Sequence, residues 1–158
     1  MREQIPGSGL LRVTVKVRVS AGRAGKADRR RGRTRRVGGV ALPEGAARAV
    51  EACFERKASD GVVLDLRGIS NATDYFVIVS GESDTHVRAI ADHVLETLKR
   101  EGATPAGVEG LSAGRWVLID CIDTVIHVFH PAAREYYSLE RLWGDAPLSS
   151  LRDPEEAS

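Results

Sequence analysis

The sequence predicts an α/β domain in which a mixed β-sheet is flanked by helices. Two segments, 44–57 and 84–100, carry apolar residues at helical spacing. Three others, 62–66, 74–80 and 116–129, are rich in β-branched and aromatic residues and predict strands. Because helices and strands interleave along the chain, we expect the helices to pack on the faces of one sheet and to enclose its core.

The first helix is predicted to begin at Pro43-Glu44, where the missing N–H of proline costs nothing. We expect Ser59-Asp60-Gly61 to end it. The second helix is predicted to start at an N-cap provided by Ser83 or Asp84 and to stop at Gly102. Its apolar stripe consists of Val87, Ile90, Ala91, Val94, Leu95 and Leu98.

The strand predicted at 74–80 is apolar on both faces in its middle, which is typical of a strand covered on two sides. The segment 105–110 is expected to form a short edge strand or an extended loop. Pro131 opens a last helical turn or two that runs to Trp143, and the residues from Gly144 onward are expected to fray.

The two apolar runs 116–120 and 124–129 predict a β-hairpin, because only three residues separate them. Side chains alternate along a strand, so each face of the first run has its own character. The core-facing side chains are Val117, Ile119 and Cys121. The opposite, mixed face carries Trp116, Leu118 and Asp120, and we expect a partner to dock there.

Charge is divided unevenly along the 158-residue chain, although its net value is only +1. Residues 1–42 contain 12 Lys or Arg and 2 acids, whereas residues 43–158 contain 11 and 20. An acidic body repels phosphates and suits a basic protein partner better than a nucleic acid. We therefore divide the chain into a basic segment 1–39, a folded domain 40–147 and an acidic tail 148–158.

The basic segment has several interpretations. The alternation at 11–19 resembles a strand with a basic outer face, and the Arg-rich run 29–36 is suited to RNA phosphates. The composition also fits a disordered tail. Because Val40 resembles a natural start, the upstream residues could instead be an over-extended reading of the gene. Serine is scarce for an organelle transit peptide.

The sequence contains no motif typical of a catalytic site or a metal site. The available acids include no Asp-x-Asp pair, and no Gly-rich phosphate loop occurs. His127 and His130 fall on opposite faces of a strand and are expected at an ordinary surface. Cys53 and Cys121 lack metal-ligand spacing and are predicted to be free thiols of a reducing, cytoplasmic compartment. No cofactor or membrane-crossing segment is expected.

Five of the eight aromatic residues stand where the predicted fold does not demand them. They are Tyr75, Trp116, Tyr136, Tyr137 and Trp143. Tyr and Trp bury a large area at little entropic cost and are frequent at binding hot spots. For Trp116 the sequence favours an interface position and a core position equally. For Trp143 it favours a structural position in which the ring packs on the sheet near the C-terminus.

Several segments follow one another in the order and spacing of one family. They are Thr73-Asp74-Tyr75-Phe76-Val77-Ile78, Gly81 with Ser83, His86, Ala89-Ile90-Ala91-Asp92, Val108-Glu109-Gly110, 116–120, 125–129 and 134–143. By these motifs the chain, over about residues 43–147, resembles the ribosomal silencing factor (Iojap-like) family. The match does not include residues 1–39.

The resemblance implies a nucleotidyltransferase-like fold without the catalytic acids, and no enzymatic activity. It also implies binding to the large ribosomal subunit through large-subunit ribosomal protein fourteen. The bound factor sterically blocks joining of the small subunit and represses translation when nutrients are limiting. The family pattern places the docking surface on Trp116, Leu118 and Asp120, with Asp74 and Tyr75 nearby on the adjoining strand. Weaker candidates are Arg134, Tyr137 and Trp143.

Three further expectations accompany this reading. The free protein is expected to form a homodimer through the same apolar face, and the basic segment is expected to contact rRNA. The family usually has glycine at the position of Ile122. Because a positive φ would strain a β-branched residue, we expect a turn of another type there. The residues alone leave open a nucleotidyltransferase-like enzyme or an RNA-binding module that uses the basic segment.

Overall fold

The computed structural model describes residues 33–153. The strand predicted at 11–19 and the Arg-rich run as far as residue 32 lie outside the described residues. The strands are β1 (Thr34–Val37), β2 (Val40–Pro43), β3 (Ser59–Asp65), β4 (Tyr75–Ser80), β5 (Gly107–Glu109), β6 (Trp116–Asp120), β7 (Thr124–Phe129) and β8 (Leu148–Ser150). The helices are α1 (Glu44–Glu55), α2 (Asp84–Arg100), α3 (Pro131–Tyr137) and α4 (Leu139–Leu142).

Six strands form one mixed sheet in the order β5-β6-β7-β4-β3-β8. The central pair, β4 and β7, is parallel, with Tyr75 opposite Thr124 and Ser80 opposite Phe129. The other neighbours in this sheet pair antiparallel, including the predicted β6–β7 hairpin. The predicted mixed sheet flanked by helices is therefore confirmed.

Each face of the sheet has its own apolar cluster. The first cluster joins the sheet to α1 and α2 and includes Val50, Val94 and Ile126. The second cluster lies under α3 and α4 and includes Phe76 and Phe129. Every residue of β4 is buried, as predicted for a strand covered on both sides.

The helix ends follow the sequence signals closely, with one exception. Pro43 is the N-cap of α1, and the hydroxyl of Ser83 accepts a hydrogen bond from the N–H of His86 at 3.0 Å at the start of α2. The predicted end of α1 at Ser59-Asp60-Gly61 is wrong, because Lys57 takes a left-handed conformation (φ +65°) and closes the helix earlier. Those three residues instead begin β3.

The N-terminal hairpin β1–β2 extends the fold into the segment predicted as a basic tail. Val37 and Leu42 are buried and belong to the first cluster. The Arg35 guanidinium lies 3.0 Å from the carboxylate of Glu44 and 2.6 Å from that of Glu51, which raises its pKa. The hairpin is thus fixed to α1 by apolar contacts and by a paired charge.

The C-terminal residues are also ordered further than predicted. β8 pairs with β3, and the buried Leu151 donates its N–H to the carbonyl of Gly61 at 2.8 Å. The N–H of Arg152 donates to the carbonyl of Gly38 at 3.0 Å. The prediction that the chain frays from Gly144 onward is therefore wrong, because the edge of β3 offers backbone hydrogen-bond partners to these residues. Across residues 33–153, the helices are too short or too polar to cross a membrane.

Candidate docking site

Trp116 begins β6 at the point where the preceding loop folds back onto it. Gly110 has φ +84°, and a side chain there would collide with the carbonyl oxygen of Trp116. Glycine is therefore required at this position for the loop to approach the strand so closely.

The indole of Trp116 is half-buried and held on several sides. Its ring centroid lies 4.6 Å from that of Phe129 and 4.6 Å from that of Tyr137. Its Nε1–H donates to Nδ1 of His127 at 3.0 Å. These contacts fix the orientation of the ring while part of its surface stays accessible.

His127 is buried, with 1% of its surface exposed, so the expectation of an ordinary surface histidine is wrong. Its ring packs edge-on against Phe76 with centroids 4.5 Å apart. Burial lowers its pKa to about 3, so the ring is neutral near pH 7. Because Nδ1 accepts from Trp116, the proton lies on Nε2, which has no hydrogen-bond partner among the described residues.

Leu118 and Asp120 lie on the same face as Trp116, as the alternation predicted, but they are not accessible. Their exposed fractions are 2% and 3%, because the second cluster and the hairpin turn cover them. Oδ1 of Asp120 accepts the N–H of Ile122 at 2.9 Å. Burial raises the pKa of this carboxyl. Asp120 therefore acts on the shape of the turn.

The turn itself differs from the sequence prediction. Ile122 has φ +72°, the conformation that its β-branched side chain was expected to exclude. The left-handed region costs a non-glycine residue about 1–2 kcal/mol. The hydrogen bond from the Ile122 N–H to Oδ1 of Asp120 and the bond from the Cys121 N–H to the Thr124 carbonyl (2.8 Å) hold this conformation. One consequence is that Ile122 is 38% exposed.

Asp74 and Tyr75 do not lie beside Trp116. β7 separates β4 from β6, so the expectation of an adjoining strand is wrong. The Tyr75 ring belongs to the first cluster, on the opposite face of the sheet, and the Arg67 guanidinium lies 5.2 Å above it. Asp74 is near the hairpin turn, since its N–H donates to the carbonyl of Asp123 at 2.9 Å.

Arg134 joins α3 to the rest of the fold. Its Nη1 donates to the carbonyl of Asp60 at 2.7 Å and to the hydroxyl of Ser80 at 2.8 Å. Its Nε and Nη2 donate to the Glu140 carboxylate at 3.0 and 2.8 Å. With 14% of its side chain exposed, Arg134 positions the short helices and offers little surface to a partner.

The accessible part of this region is aromatic. Trp116, Tyr137 and Trp143 are half-buried against the second cluster, and Tyr136 and Leu142 expose 57% and 53% of their surfaces. We call these five residues the aromatic face. The sequence indicated its aromatic members, whereas Leu142 and the supporting His127 carried no signal that separated them from ordinary positions.

Cys53 and Cys121 are free thiols, as predicted. Burial raises the pKa of each to about 12, so neither is a ready nucleophile. Among residues 33–153, no three His, Cys, Asp or Glu side chains are grouped so that they could hold a metal ion.

The family model described as "Ribosomal silencing factor during starvation" matches residues 41–158. The chain belongs to this family, which confirms the resemblance drawn from the motifs. Family members regulate translation as ribosome-associated proteins.

Relatives come from bacteria and from organelles. The chain is 47% identical to ribosomal silencing factor RsfS of Bacillus subtilis over 103 residues, 65% of this chain and 87% of that protein. It is 35% identical to the mouse mitochondrial assembly of ribosomal large subunit protein 1 over 92 residues, 56% of this chain and 40% of that protein. It is 30% identical to the maize chloroplastic protein Iojap, covering 61% of this chain and 42% of that protein.

Two solved structures have the same fold. A crystal structure from Bacillus halodurans has a TM-score of 0.62 and 40% identity, and the match covers 70% of this chain and all of that one. A protein from Chromobacterium violaceum has a TM-score of 0.62 and 38% identity, with 64% of this chain and 84% of that chain covered.

We expect Asp120→Ala to lower the free energy of unfolding by about 1–2 kcal/mol, because the N–H of Ile122 loses its acceptor beside a strained residue. Asp120→Asn is the matched control, since it keeps an acceptor oxygen without a buried charge. Urea denaturation measures both variants. If the alanine and asparagine variants lose the same free energy of unfolding, the hydrogen bond to Ile122 does not account for the stabilising effect of Asp120.

The buried His127 predicts a loss of stability in acid. The unfolded chain takes up a proton near pH 6.5, whereas the folded chain does so only near pH 3, so the unfolded state binds more protons between these values. The free energy of unfolding therefore falls as pH drops through this window. We expect it to fall about 2 kcal/mol further between pH 6.5 and 4.5 in the wild type than in His127→Gln.

Denaturation curves at the two pH values test this expectation, and comparison with His127→Gln removes the contribution of Asp120, which has the opposite sign. Parallel losses in both proteins would contradict it.

Proposed function

We propose that this protein binds the large ribosomal subunit and sterically blocks joining of the small subunit, repressing translation when nutrients are limiting. The observation that carries the proposal is the family match across residues 41–158. The partner on the subunit is large-subunit ribosomal protein fourteen, as the family motifs imply, and the site of action is the cytoplasm.

The aromatic face supports docking because its side chains are large, accessible and already ordered. Trp and Tyr dominate binding hot spots when their orientation is fixed before contact. The indole of Trp116 meets this condition through its hydrogen bond to His127. Binding therefore costs little further ordering of this side chain.

The other predicted site residues contribute from behind this face. Leu118 packs in the second cluster with Trp116, and Asp120 holds the turn at the far end of β6, where Ile122 is exposed. Arg134 holds α3, which carries Tyr137. Asp74 and Tyr75 support the turn through their N–H groups, which both donate to the carbonyl of Asp123.

The charge of the domain supports a basic protein partner. Residues 33–153 contain 14 Lys or Arg and 18 Asp or Glu, a net charge of −4. Ribosomal proteins that coat rRNA are basic, so long-range attraction assists the encounter. In this proposal the basic segment 1–39 contacts rRNA.

Repression in this proposal requires no bond to be made or broken. A domain of this length is roughly 35 Å across, which is enough to occupy space that the small subunit needs. A standard interface of about 1,600 Å² is sufficient to hold it there.

Trp116→Ala should raise the Kd for isolated large subunits about 30-fold or more, because a central aromatic anchor is lost. Co-sedimentation measures binding, and circular dichroism verifies the fold. Ile69→Ala is the matched control, since Ile69 is 43% exposed in a loop outside the aromatic face. Unchanged co-sedimentation of the Trp116 variant would reject this docking surface.

Subunit joining tests the blocking step. At saturating protein, light scattering should show that isolated subunits no longer associate, whereas the Trp116 variant at the same concentration should leave association intact. Normal association of large subunits that carry the bound protein would overturn the proposal.

We further propose that the free protein forms a homodimer through the aromatic face, which removes Tyr136 and Leu142 from water. The molar mass from light scattering should then decrease on dilution, and Leu142→Asp should give a monomer at every concentration. A wild-type mass that stays monomeric throughout would exclude the dimer.

A further inference from the structure

Arg115 immediately precedes Trp116 and lies at the edge of the aromatic face. Its carbonyl accepts the N–H of His130 at 2.9 Å, which ties its backbone to the start of α3. Burial and the neighbouring Tyr136 raise the pKa of the Tyr137 hydroxyl, whereas the charge of Arg115 lowers it. The guanidinium of Arg115 is therefore close enough to Tyr137 to act on a member of the aromatic face.

The charge of Arg115 is weakly paired. Half of its side chain is exposed, and its one ion pair within residues 33–153 is with Asp84. Nη1 of Arg115 lies 3.5 Å from Oδ1 of Asp84, which is the outer limit of a hydrogen bond, and the Asp84 side chain is 44% exposed. Such a pair contributes little to stability, so the guanidinium keeps donors for a partner.

A second cation lies next to the same loop. Nη1 of Arg88 donates to the carbonyls of Ser112 and Ala113, at 3.4 and 3.3 Å. No carboxylate of the described chain forms an ion pair with Arg88, whereas Asp84 is the one acid paired to Arg115. The loop before Trp116 is therefore locally positive, with two guanidinium groups and one carboxylate.

This local charge is opposite in sign to the net charge of −4 carried by residues 33–153. A negative domain attracts a basic protein, and a cation at the edge of its docking face opposes that attraction. The cation becomes favourable when the partner places an acid opposite it. Arginine is frequent at binding hot spots because its planar guanidinium binds a carboxylate through two parallel hydrogen bonds.

We propose that Arg115 is a specificity-determining residue of the docking face and binds a carboxylate on the ribosomal protein partner. This inference rests on the proposed function, since it takes the aromatic face as the docking surface. A partner that covers Trp116 also excludes water from the adjacent guanidinium, which strengthens the ion pair. A protein carboxylate fits better than an rRNA phosphate, because the acidic domain repels phosphates.

The test measures the Kd of the full chain for purified ribosomal protein fourteen, which contains no RNA, and for isolated large subunits. Arg115→Met should raise both Kd values about tenfold, because charge-assisted hydrogen bonds are lost while much of the apolar stem is kept. Arg115→Lys should lose less affinity, since it keeps the charge without the planar group. Circular dichroism verifies the fold of each variant.

Charge reversal separates a specific contact from the overall field of the domain. Arg115→Glu changes the net charge of residues 33–153 from −4 to −6, yet it should weaken binding at least as much as Arg115→Met, because two carboxylates then face each other. Arg56→Glu makes the same change at an exposed arginine at the end of α1 and should bind as tightly as the wild type or more tightly.

Asp84→Asn is the control for the intramolecular ion pair. It removes the partner of Arg115 within the domain but leaves the guanidinium in place, so binding should not weaken.

The proposal is overturned if Arg115→Met or Arg115→Glu binds ribosomal protein fourteen like the wild type, or if Arg115→Lys is no better than Arg115→Met. An equal loss in Asp84→Asn also overturns it, as does a loss seen only with large subunits, which would indicate an rRNA phosphate. In all these outcomes the wild type still binds and the proposed function stands. A wild type that binds neither partner rejects the proposed function, and this inference with it.

Discussion

The fold depends on one constraint, the complete burial of its central parallel strand pair. All six residues of β4 and all six of β7 are buried. Parallel strands that are apolar on both sides are stable only when both faces are covered. The long helices α1 and α2 cover one face, and the short helices α3 and α4 cover the other. The aromatic face is the accessible margin of that second, thinner cover.

This thinner cover explains why polar groups matter on the second face. Arg134 on α3 forms hydrogen bonds to Asp60, Ser80 and Glu140. These bonds are needed because α3 has only seven residues and buries too little apolar area to be stable by packing alone. His127 accepts the indole N–H of Trp116 inside the same layer. Arg134 thus fixes the orientation of α3, and His127 fixes the orientation of the Trp116 ring. In both cases apolar contacts alone would leave several orientations available.

Much of the domain could be predicted from the sequence, because its signals are local. The helical spacing of apolar residues predicted α2, and Ser83 was predicted as one of its two candidate N-caps. The short interruption at 121–123 between two apolar runs predicted the β6–β7 hairpin. The strand order could not be predicted, because the pairing of β4 with β7 joins residues about 50 positions apart. That error placed Tyr75 beside Trp116. The alternation correctly put Trp116, Leu118 and Asp120 on one face, but it could not show what covers Leu118 and Asp120.

The hydrogen bond from the Arg152 N–H to the Gly38 carbonyl ties the last described residues to the turn of the N-terminal hairpin. The residues just before Arg152 pair with β3, so one short segment joins the hairpin to the edge of the sheet. Loss of residues 148–153 would consequently expose the unpaired backbone of β3, and exposed strand edges promote aggregation.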